Sequence, residues 1–144
     1  RRSIYVQVRR SRPLSVLDTF DRPAMSPNCD MRRPSTGSTQ SLLMMNSDLL
    51  LDYSRHLAAR LAKETGDDPA ALVQRAWQLV YSRPPEHSEQ QAATAFVAAQ
   101  TALFAEQAAY QPKEDKPPAR TAAQEATALM CQMLLSSNEF LYVD

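Results

Sequence analysis

The chain has 144 residues, of which 44% are hydrophobic and 22% charged, near the averages of folded globular proteins and enough for one modest domain rather than two. Two Gly are too few for a phosphate-cradling loop or a dinucleotide-binding turn, which argues against nucleotide chemistry. The zero net charge is uneven, because residues 1–40 carry eight Arg and three Asp (+5) while the remaining residues carry eight basic and thirteen acidic side chains (−5). Opposed charge of this kind predicts that the Arg-rich start packs on acidic helices or on other domains. The longest charge-free stretch, Gln90 to Ala105, has 16 residues with three Gln and two Thr. That falls below the roughly 20 apolar residues of a membrane span, so none is expected. The absence of an initiator Met and of a signal peptide reads as a fragment of a longer polypeptide.

Residues 1–38 read as an extended and irregular segment and residues 39–144 as a helical bundle. From Ser3 to Arg9, Ile4, Val6 and Val8 alternate with polar neighbours, the pattern of a short strand. Pro13 followed by Leu14, Val16, Leu17 and Phe20 predicts two helical turns, ended by Pro23. Asp21 to Ser38 holds three Pro and one Gly among polar residues and reads as a long irregular segment. Five helices follow. A short one spans Gln40 to Met45. A second, capped by Ser47, runs from Asp48 to Thr65 with Leu50, Tyr53, Leu57 and Leu61 as its apolar stripe, and Gly66 closes it. Asp68-Pro69 opens a third to Ser82, with Leu72, Val73, Ala76, Trp77 and Val80 facing inward. After Pro84-Pro85 a fourth, Ala- and Gln-rich, runs from Ser88 to Ala109 and buries Phe96, Leu103, Phe104 and Tyr110. Tyr110 to Ala119 reads as a solvated linker. The last helix, Thr121 to Ser137, has Ala122, Ala126, Leu129, Met130, Met133 and Leu134 at helical spacing. Phe140 to Val143 is dense in strand formers and can pair with Ile4 to Val8 as a two-stranded ribbon. The fold class expected is therefore mainly α, a bundle of four to five helices.

Candidate chemistry concentrates between Phe20 and Arg33, where Asp21, Cys29, Asp30, Arg32 and Arg33 bring acid, thiol and guanidinium together. Arg32 and Arg33 can lower the Cys29 pKa toward a reactive thiolate, although Asp30 opposes them. Asp21 and Asp30 can act as acid and base if the fold brings them within hydrolase-like separation. The simpler alternative is ion pairing of these aspartates with arginines around a small buried Cys29. That alternative is preferred, because structural ion pairs imitate sites. His56 and His87 lack a neighbouring second ligand and read as helix-surface groups. Met44-Met45, Met130 and Met133 read as core filling rather than a soft-metal site. No cofactor or metal is expected, since Cys29 and Cys131 lack metal-type or haem-attachment spacing. Cys131 is either bonded to Cys29 or a free buried thiol. The arginines are too dispersed to predict nucleic-acid binding.

A family resemblance joins these pieces. Arg1-Arg2-Ser3-Ile4-Tyr5, Phe20-Asp21-x-Pro23, Cys29-x-x-Arg32-Arg33, Ser35-Thr36, Thr39-Gln40-Ser41-Leu42 and Met45-Asn46 resemble a planctomycete C-terminal domain of unknown function. Arg83-Pro84-Pro85 and Leu134-Leu135-Ser136-Ser137-Asn138-Glu139-Phe140-Leu141 are similar to its closing half. The resemblance implies a large exported, extracytoplasmic parent that also contains a cytochrome-c-like domain. Any haem belongs to that neighbouring domain, and the upstream domains are the implied partners. It implies no activity and no catalytic residues. The function expected is a non-catalytic structural or interaction module; the rival is part of a hydrolase-like or redox enzyme whose site upstream domains complete.

Overall fold

The computed structural model describes Tyr5, Leu17, Thr19 and Phe20 together with residues 38–66, 68–110 and 120–141. Six helices lie among them: α1 (Ser38–Asn46), α2 (Asp48–Thr65), α3 (Pro69–Tyr81), α4 (His87–Tyr110), α5 (Ala122–Leu135) and α6 (Asn138–Leu141). The chain divides into two compact units, Arg1–Asn46 and Ser47–Asp144. In the first, Gln40 on α1 is buried and its Nε2 donates to the Thr19 carbonyl at 3.0 Å. Leu17 and Thr19 are helical, as the Pro13 to Phe20 pattern predicts. Tyr5 sits in a 3-10 turn; the other positions of the strand expected over Ser3 to Arg9 lie outside the described residues.

The second unit is a helical bundle whose boundaries follow local chemistry. Ser47 precedes α2 with extended backbone and accepts the Leu50 N–H at 3.4 Å. Gly66 ends it at φ 64°, ψ −138°, a conformation that strains any side-chain-bearing residue, and its N–H returns to the Ala62 carbonyl. Asp68 caps α3 through the Ala70 N–H at 2.9 Å, with Pro69 in the first turn, where no N–H is missed. Thr121 and Gln124 open α5 with reciprocal side-chain-to-backbone bonds of 3.3 and 3.0 Å.

Helix α5 packs against both α2 and α4, and α3 touches α2, α4, α5 and α6. The core is Ala58 and Leu61 of α2, Val73, Ala76 and Trp77 of α3, Ala93 of α4, and Ala128, Met130, Cys131 and Leu134 of α5. Small residues dominate α2 and α4 at their contacts, so backbones approach closely and the apolar stripe shifts from the one expected. On α2 it runs through Leu50, Ser54, Ala58 and Leu61, while Tyr53 is 56% exposed. The buried Ser54 hydroxyl donates to the Leu50 carbonyl at 2.7 Å, so its burial leaves no donor unpaired. On α5 the buried arc holds Thr127, Ala128 and Cys131 as well as Ala126, Met130 and Leu134, and Met133 points outward. Met45 is likewise exposed, so core filling holds for Met130 but not for Met45 or Met133.

Leu103 is exposed for a different reason. The 24 residues of α4 extend about 36 Å and the 14 of α5 about 21 Å, so the C-terminal turns of α4 outrun their partner. Phe96 stays against the core. The expected terminal strand is also corrected. Phe140 and Leu141 belong to α6, because Ser137 accepts the Phe140 N–H on its hydroxyl and the Phe140 and Leu141 N–H groups on its carbonyl, a serine cap that outweighs strand propensity.

Candidate functional site

Asp21, Cys29, Asp30, Arg32 and Arg33 lie outside the described residues, as do the Pro-rich positions 111–119. The most developed polar constellation among the described residues lies elsewhere. It is built from the C-terminus of α3, the Arg83-Pro84-Pro85 connection, the first turn of α4 and the start of α6. Ser82 ends α3 in the left-handed region at φ 59° and turns the chain, so that Arg83 lies over the Tyr81 ring, 5.5 Å from its centroid. Trp77 meets the same ring edge-on at 5.9 Å.

Arg83 spends all five guanidinium N–H donors. Nη1 donates to Glu89 Oε2 at 2.8 Å and to the Pro84 carbonyl at 3.2 Å. Nη2 donates to Glu89 Oε1 at 2.8 Å and to Glu139 Oε2 at 2.9 Å. Nε donates to Glu139 Oε1 at 2.7 Å. Two bidentate carboxylates thus hold one guanidinium, and one of them is 56 positions away in sequence. Glu89 Oε2 also accepts the Trp77 Nε1–H at 3.2 Å and the Glu86 backbone N–H at 2.7 Å. Beside it, Tyr81 donates to Ser137 Oγ at 2.9 Å, and Ser137 Oγ donates in turn to the Leu134 carbonyl at 2.8 Å.

The electrostatics follow from these bonds. Arg83, then the Glu86 N–H, holds the Glu89 carboxyl down at about 2, against an ordinary 4.5. Arg83 also lowers Glu139, and the two carboxylates raise Arg83. Burial raises Tyr81. A carboxyl lowered on folding stabilises the native state above its unfolded pKa, and that contribution disappears as pH falls from about 4.5 toward 2. Urea unfolding at a series of pH values is therefore expected to show stability falling through this window. Glu89→Gln should lower stability at neutral pH by about 1–2 kcal/mol, after discounting for partial exposure, and flatten the acid slope. An unaltered slope in that variant would contradict the assignment.

Chemically the constellation is saturated. Arg83 retains no N–H for a substrate, and Glu89 is a fully ionised acceptor at neutral pH, unsuited to donating a proton. The other ion pairs also join or brace helices: Glu64 binds Arg60 and Arg75 at 2.7 and 2.6 Å, and Glu125 lies 3.5 Å from both Arg55 and Arg120. His56 and His87 are exposed, His87 in a 3.0 Å hydrogen bond with Gln91. Among the described residues there is no group of three or more His, Cys, Asp or Glu able to hold a metal, and no helix is long and apolar enough to cross a membrane.

Cys131 is a free thiol, fully buried in the core, and burial pushes it up to about 12. In a Cys29→Ser chain, labelling of Cys131 by a thiol reagent should track global unfolding in urea. Rapid labelling without urea would show that the core opens locally.

Arg83 and Glu139 stand in separate sequence motifs that nothing local pairs, and Glu89 stands in none of them. The available signal was an arginine before Pro-Pro and an acidic residue in the first turn of each of two short-range helix starts.

No curated protein and no solved structure matches the chain. Residues 1–97, about two thirds of the sequence, match the family model described as PSD1, protein of unknown function (DUF1553), with Arg83 and Glu89 inside the match and Glu139 beyond it. The chain belongs to that family.

Proposed function

We propose that the chain is a non-catalytic structural and interaction module within a larger exported, multidomain protein. The observation that carries this reading is the Arg83 node. Its full donor set is spent on Glu89, Glu139 and Pro84, so the best-formed charged cluster closes the fold rather than facing a substrate. Exposed apolar side chains add support for an interaction role: Leu42 on α1, and Leu49 and Tyr53 one turn apart on α2, are each more than half exposed. Export and a multidomain parent rest on the resemblance of the chain's motifs to the planctomycete domain, with upstream domains of the same polypeptide as the partners.

The test is thermal unfolding of residues 1–144 alone and joined to the upstream domains of the parent. The reading expects a higher melting temperature in the joined protein, and Tyr53→Ser should erase the difference without altering the isolated chain. Equal melting temperatures in the two contexts would sink it.

A further inference from the structure

We draw no further inference here: the strongest candidate, the open, mainly apolar groove between α2, α3, α4 and α5 with Ala58, Val73 and Val97 in its wall, carries nothing, because nothing in the structure shows what covers it.

Discussion

Met130→Ala is expected to lower the free energy of unfolding by about 3 kcal/mol, and Met133→Ala by less than about 0.5 kcal/mol. The two side chains sit on one 14-residue helix, three positions apart, in sequence contexts that look alike. Met130 is fully buried between α2, α3 and α4, where truncation leaves a cavity whose walls, held by three helices, cannot collapse. Met133 is 52% exposed, so truncation removes little that water had not already reached. Urea unfolding of both variants at neutral pH decides the matter. Equal losses would place Met133 in the core and shift the register of α5 against its partners.

The same pair shows what the sequence made legible. Helix existence and ends were readable because their causes are local: Ser47, Asp68-Pro69 and Thr121 cap, and Gly66 stops. Which way each helix faces was only partly readable. Periodicity marks the apolar arc, but its edges depend on how many neighbours a helix has, and α5 has enough of them to bury Thr127 and Cys131 beyond the expected stripe. Ser54 takes the buried place expected of Tyr53 for the same reason, since close packing of α2 on α5 favours the small residue and a hydroxyl can bond its own helix. Leu103 escapes burial because helix length, rather than pattern, decides where a partner runs out.

The Arg83 node was harder still. Glu139 reaches Arg83 only after α4 and α5 have brought residues 56 apart together, and no local rule encodes that closure. Phe140 and Leu141 misled for a related reason: their propensity favours a strand, while Ser137 and the carboxylate of Glu139, at the start of α6, favour a helical turn that places Glu139 on the guanidinium.

A chain ending at residue 97, the limit of the family match, is expected not to fold. The cut falls inside α4 and removes α5 whole. With α5 go Ala128, Met130, Cys131 and Leu134, four of the ten residues of the core cluster, and the partners they cover, Leu61 and Val73 among them, become exposed. Full burial of one large apolar side chain is worth roughly 1.5–3 kcal/mol, so losing Met130, Leu134 and the cover over Leu61 and Val73 removes about as much as the roughly 5–15 kcal/mol that holds a domain of this size together. The cut also strands Arg83 with Glu89 alone, because Glu139 is gone. Far-ultraviolet circular dichroism with a urea titration distinguishes the cases. The full chain should unfold in one sigmoidal transition of its second unit, and the truncated chain should show weak helicity that fades without a midpoint. A cooperative transition in the shorter chain would mean that α2 and α3 close a core without α5, and the bundle's dependence on Met130 would then have to be abandoned as well.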